Sequence, residues 1–380
     1  MARSVSGGIK GMFSRKARRR RSAALLALML AAAFATDKAG AEPYLAVYKG
    51  MQCSGCHSHP AGGGKRNAYG NAFAQTEMPA ERVGAADAAL WTGEVAEWLS
   101  IGANLRADYR YVDTPETDHS SEFGVSRGTV YVEASLIPNR LSLYVDQQVA
   151  PGSGMNREAY VRLNSAGSGF HFAAGQFFLP YGLRLQDDTA FVRQVTGVNF
   201  SNPDRGVQVG YEAGPWSTQL TVTNGGGGGE TDTGKQLSWV AHYVRQRWRA
   251  GASFNFNEAD AGDRQMQNVF FGLRTGPVVW LAQADLVTDD LPSGAEQDVI
   301  ATLVEGNWLF RQGHNLKVSY DYFDPNDDVD EDHQARWSLL WEYTPMQFLQ
   351  SRVGVRIYDG IPQVNAQNRD EYFAEIHGFF

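Results

Sequence analysis

The sequence predicts an all-β fold, a transmembrane antiparallel β-barrel of about sixteen strands behind a short N-terminal segment of different character. Three observations carry that expectation. From about Val95 onward, apolar and polar residues alternate with period two. The connections between the alternating runs are short and long by turns. The final run reaches a terminal phenylalanine, Phe380. Mean hydropathy is −0.36, and no stretch of the chain approaches the ~18 apolar residues of a spanning helix. A barrel is compatible with that value, because its strands alternate lipid-facing and lumen-facing side chains.

The chain opens on a targeting signal. Arg15, Lys16 and Arg18 to Arg21 form a charged stretch, and Ala23 to Ala35 is apolar but too short to span a bilayer. Ala39-Gly40-Ala41 then offers a small-residue cleavage site before Glu42. The alternative is a membrane anchor. The expected organisation is a signal over 1–41, an N-terminal segment over 42–94 and a barrel over 95–380. Residues 1–41 hold nine Lys and Arg against one Asp, so an overall charge of −8 becomes about −16 in the remainder. That balance excludes nucleic acid, which wants a basic surface, and suits cationic partners or metal ions.

The only two cysteines stand just past the cleavage site, in Cys53-Ser54-Gly55-Cys56-His57. C-x-x-C-H is the attachment signature of c-type haem. Two thiols at this spacing add to the two vinyl groups on one porphyrin edge, and the following histidine binds iron as proximal ligand. Covalent attachment takes place outside the cytoplasm, in agreement with the signal. Three other readings compete. A zinc site wants a second ligand pair, a redox dithiol wants a βαβ context, and a plain disulfide here would close only a small loop. For the second axial position, Met78 before Pro79 is the candidate, set against a gap-filling apolar role. His59 is too close to His57 to reach the opposite haem face. A histidine from the barrel wall or an open site remains the alternative. The segment is too short and too rich in small residues to bury a haem alone, so something else must cover it.

Sixteen runs alternate through the remainder, from 97–112 to 370–380. Examples are Ile101, Ala103, Leu105 and Ala107 against Gly102, Asn104 and Arg106, and Trp337, Leu339 and Trp341 against Arg336 and Ser338. An even number near sixteen is porin-sized. Short turns fall at Pro138-Asn139, Gly214-Pro215, Gln246, Gly276-Pro277 and Thr344-Pro345. Long loops fall between them, including 179–204, the Gly225 to Gly229 run and the acidic 324–333 stretch. Outer-membrane barrels have short periplasmic turns and longer external loops.

Two resemblances follow. Gly175-Gln176-Phe177-Phe178-Leu179-Pro180-Tyr181-Gly182-Leu183, Phe191-Val192-Arg193 and Asp204-Arg205-Gly206-Val207-Gln208-Val209-Gly210 resemble the phosphate-selective porin family over about a third of the barrel. The order of signal, haem motif and porin resembles the monohaem cytochrome–porin fusions of iron-oxidising bacteria. That likeness implies a short cytochrome in the barrel mouth that passes electrons inward from extracellular Fe(II). Only Cys53, Cys56 and His57 carry over residue by residue. The Phe379-Phe380 ending resembles that of bacterial outer-membrane proteins.

The leading expectation is electron transfer across the outer membrane through one covalently bound haem c, with an extracellular donor such as Fe(II) and a periplasmic electron carrier as partners. The alternative is a porin for small solutes or anions with a tethered periplasmic cytochrome or sensor. A peroxidase or gas-binding site would need an open sixth position. By strand parity His171, His242 and His377 face the lumen, as haem ligands or as polar lining. Asp324 to His333 reads as a solvated acidic loop, with Fe(II) or Ca²⁺ binding as its alternative. Arg184 and Arg193 of the 179–204 loop, with Arg205 next to its end, are candidates for anion selection. A homo-oligomer is compatible with the porin resemblance.

Overall fold

The computed structural model describes residues 42–85, 87–115, 119–152, 154–197, 203–225, 233–259, 262–291 and 293–380; the signal expected over 1–41 lies outside them. Sixteen long strands, from β2 (Leu99–Asp113) to β17 (Asp370–Phe379), pair antiparallel with their chain neighbours. The last pairs back onto the first, from Asp370↔Asp113 to Phe379↔Asn104, so the sheet closes and leaves no edge. A three-residue strand, β1 (Glu94–Ala96), leads into β2. The protein is therefore a closed barrel of the outer-membrane kind.

Each of the sixteen expected runs is a strand. The differences lie at the ends, where hydrogen bonding continues past the alternating pattern. The run expected at 125–137 is β3 (Ser120–Ile137), lengthened at its loop end with a register shift between Arg106 and Ala107 on its partner. Thr344-Pro345 is not a turn. It lies inside β15 (Gln334–Met346), where the register shifts between Tyr343 and Met346, and the reversal falls at Gln347 and Phe348. Proline is tolerated there because the irregularity removes the need for its N–H.

Alternation sets the two faces. Phe123, Leu105, Val207, Val269, Trp337 and Ile376 are exposed on the outside, as a lipid-facing band requires. At the short-turn end, Trp216, Tyr243 and Trp248 pack together, as do His314, Trp341 and Tyr343. These are the aromatic girdle of that interface. Among the described residues no helix is long and apolar enough to cross a membrane.

The inside is filled. Two short helices, α1 (Pro43–Lys49) and α2 (Ala68–Thr76), lie in the barrel near its short-turn end. Tyr44, Leu45, Val47, Tyr48, Phe73 and Met78 form one apolar core with Val279, Leu281, Leu303 and Leu309 of the facing wall. The segment thus has no core of its own, and it and the barrel form one compact unit. Polar clamps hold it too. Tyr44 Oη donates to Glu342 at 3.0 Å, Glu42 pairs with Lys317, and Arg274 donates to the Tyr48 carbonyl at 2.7 Å. Ala80 N–H donates to the Thr344 carbonyl at 2.8 Å, and Trp91 meets the terminal Phe380 edge-on at 6.1 Å.

The described part of the long connection between β6 (Phe170–Phe178) and β7 (Pro203–Ala213), residues 179–197, folds inward from the opposite end. Leu183, Leu185 and Val192 join the same core, the last from helix α3 (Phe191–Thr196). Asp187 is gripped by Arg336 at 3.0 Å and Arg356 at 3.1 Å. Burial alone would raise the Asp187 carboxyl, but the two guanidiniums hold it well below its ordinary value.

Candidate functional site in the lumen

Between the N-terminal segment and the inward loop lies a cavity partly open to solvent. Cys53, Cys56 and His57 all line it. Both thiols are unbridged and half-buried. The local chain explains why they face one space. Cys53–Gly55 forms a single 3-10 turn, so Cys56 N–H and His57 N–H both donate to the Cys53 carbonyl at 3.1 Å. Arg249 approaches the Cys53 sulfur at 3.6 Å, and Met51 Sδ lies 4.0 Å from the Cys56 sulfur. Burial, then the neighbouring Cys53, pushes the Cys56 thiol up to about 11. His57 is held down to about 3 by burial, with Arg66 and Arg184 adding to the effect, so its imidazole is neutral. Its Nδ1 is buried without a hydrogen-bond partner.

Asn67 and Gly70 fix the motif, and sequence reasoning passed over both. Asn67 caps α2 by accepting from Gly70 N–H at 2.9 Å. Its amide also donates to the carbonyls of Ser54 at 2.9 Å and Gly55 at 3.2 Å. A Cβ on Gly70 would stand 2.1 Å from the Cys56 carbonyl oxygen, a backbone atom with no freedom to move. Gly70→Ala is therefore expected to lift α2 off the motif at a cost of about 1–3 kcal/mol. Limited proteolysis should then cut the 42–92 segment faster than in the wild type, and equal rates would contradict the contact.

Arginines crowd the cavity: Arg66, Arg106, Arg127, Arg184, Arg193 and Arg249. Gly62 and Gly63, both at positive φ, let the chain turn against it, and the Gly62 carbonyl accepts from Arg184 at 2.7 Å. A haem has two propionates and an iron that takes imidazole nitrogen. Two thiols, a neutral imidazole with an orphaned ring nitrogen, and a ring of guanidiniums fit that group.

The other candidate residues lie as follows. Met78 is buried in the apolar core with Phe73 and Leu309 and does not line the cavity. His59 is buried beside Glu158 at 3.6 Å, its Nδ1 accepting from Ala61 N–H at 3.1 Å, and also lies outside the lining. His171, His242 and His377 face inward, each at most 5% exposed. Arg184 and Arg193 line the cavity, whereas Arg205 is exposed and donates to Gln176 at 3.1 Å. Arg205 thus takes no part in lining the lumen, because strand parity at β7 turns it outward. Among the described residues no group of three His, Cys, Asp or Glu is placed to hold a metal ion, and the acidic stretch at 324–333 is a surface loop.

No protein-family model and no curated protein matches the chain. Its fold is similar to solved outer-membrane barrels. OmpT of Vibrio cholerae shares 12% identity over 76% of this chain and 99% of that one, with a TM-score of 0.59. An anion-selective porin from Comamonas acidovorans shares 10% over 74% and 99%, with a TM-score of 0.60. The channel DcaP of Acinetobacter baumannii shares 11% over 74% and 97%, with a TM-score of 0.56. These likenesses show the fold, and the closed sheet with its exposed apolar band is that of an outer-membrane barrel. They say nothing of haem or iron.

Proposed function

We propose that this barrel carries one haem c on Cys53, Cys56 and His57 inside its lumen and moves electrons between the two faces of the outer membrane. The observation that carries the reading is the convergence of both thiols and the His57 imidazole on one arginine-rich cavity in the barrel interior. A haem bound there supplies a one-electron iron couple. The residues of the chain do the rest. Cys53 and Cys56 anchor the group covalently, and His57 presents a neutral nitrogen. Arg66, Arg106, Arg127 and Arg184 offset carboxylate charge and favour the more negative redox state. Leu183 and Leu185 cover the site from the long-loop side and exclude water. Extracellular Fe(II) as donor and a periplasmic carrier as acceptor are the partners this reading takes.

The second reading is a diffusion pore for small solutes or anions with a tethered cytochrome. The structural likenesses by themselves favour it over electron transfer, since one neighbour is an anion-selective porin and another an outer-membrane channel. The filled lumen and the inward-facing haem motif are what weigh against it.

Liposomes holding a redox dye inside, with the protein inserted and Fe(II) added only outside, separate the two. Haem reduction followed by dye reduction supports a transmembrane conduit. Haem that stays oxidised under external Fe(II) while small anions cross freely overturns it in favour of the pore.

A further inference from the structure

The cavity that holds the Cys53–His57 motif is also lined by two histidines of the barrel wall, His242 and His377. His377 lies on β17, is 5% exposed, and lines the same space as Cys53, Cys56 and His57. Its Nε2 is buried and has no hydrogen-bond partner. Its Nδ1 lies 3.5 Å from the side-chain amide of Gln186, on the inward loop. That amide is satisfied when its nitrogen donates to Glu42 at 2.6 Å and its oxygen accepts from Arg106 at 2.9 Å. The oxygen then faces His377 Nδ1, which places the ring proton on Nδ1 and the lone pair on Nε2. This is the tautomer of a metal-ligating imidazole, with its other nitrogen oriented by an outer partner.

The other inward histidines are less suited. His242 Nε2 is engaged with Gln52 Oε1 at 2.8 Å. His171 Nε2 is also unpartnered, but it lines another space at the short-turn end, which His57 borders and neither Cys53 nor Cys56 reaches. Met78 is committed to the apolar core.

We infer that His377 supplies the second axial ligand, so that the centre is bis-histidine, with one ligand from the N-terminal segment and the other from the last barrel strand. This rests on the haem reading above. It adds three consequences. Iron ligation ties the segment to the wall of the barrel. A bis-histidine centre has a lower potential than a histidine–methionine one. A filled sixth position also closes the site to peroxide and to gas ligands.

The test uses the full-length protein in detergent, with covalent haem first measured as its pyridine haemochrome. Absence of haem in the wild type overturns the haem reading itself. With haem present, the wild type is expected to be low-spin by optical and electron paramagnetic resonance spectra. His377→Ala is expected to turn high-spin and to recover the low-spin spectrum on addition of imidazole, whereas His171→Ala and His242→Ala stay low-spin. A wild type that is high-spin, or a folded His377→Ala that stays low-spin, overturns the assignment. Migration on unboiled gels reports barrel folding. Should His377→Ala fail to fold, His377→Met decides the matter: a raised reduction potential supports ligation, and an unchanged potential refutes it.

Discussion

Replacing both Cys53 and Cys56 by alanine is expected to abolish covalently held haem while leaving the barrel folded. The chain has two cysteines in all, so no other thioether can form. The two side chains are half-buried at the cavity edge and make only long contacts, to Arg249 at 3.6 Å and Met51 at 4.0 Å. Truncation there leaves no buried group stranded, and the folding cost stays below about 1 kcal/mol. The loss of function is complete by contrast. Haem staining of denaturing gels should fall to background, and Fe(II)-driven reduction of an enclosed dye should fall to the rate of protein-free liposomes. Either single variant keeps one anchor and retains partial staining. Full staining of the double variant would show that haem is held some other way, and unchanged dye reduction would show that the motif has no part in electron transfer.

The barrel was legible because its physics is periodic. Every strand must turn one face to lipid and one inward, and period two is written into Leu99–Asp113 and its fifteen successors. Turn chemistry added the rest, with Gly214 and Gly276 at positive φ in tight reversals. Strand ends were less legible, because Pro345 reads as a turn and only pairing reveals an irregular strand end. That Cys53, Cys56 and His57 share one place was legible because they fall within five positions, which a single 3-10 turn brings to one cavity. The lumen core was not. Its signal is present in Val278-Val279-Trp280-Leu281-Ala282, an apolar run on both faces that an open, water-lined pore would not use. Asn67 and Gly70 were invisible for another reason. Their roles depend on contacts with the carbonyls of Ser54, Gly55 and Cys56 that no spacing encodes.

That apolar wall leads to the second large effect. Deleting residues 42–92 is expected to open the barrel and raise its single-channel conductance by at least about tenfold. In the intact chain, α1 and α2 cover Val279, Leu281, Leu303 and Leu309 from one side, and the inward loop covers them from the other. Charged groups of the wall are also spoken for. Lys317 and Arg352 reach Glu42, and Glu133 reaches Lys65 at 3.1 Å and Ser58 at 2.6 Å. Removing the segment frees these charges to hydrate rather than leaving them buried and unpaired, so the wall can remain closed on its strand pairing alone. The inward loop keeps its own anchors, Asp187 to Arg336 and Arg356, and narrows the pore without sealing it. Planar-bilayer recordings of wild type and deletion measure the difference directly. Large, steady conductance already in the wild type would mean that the segment does not seal the lumen, and the pore reading would then take the place of the conduit.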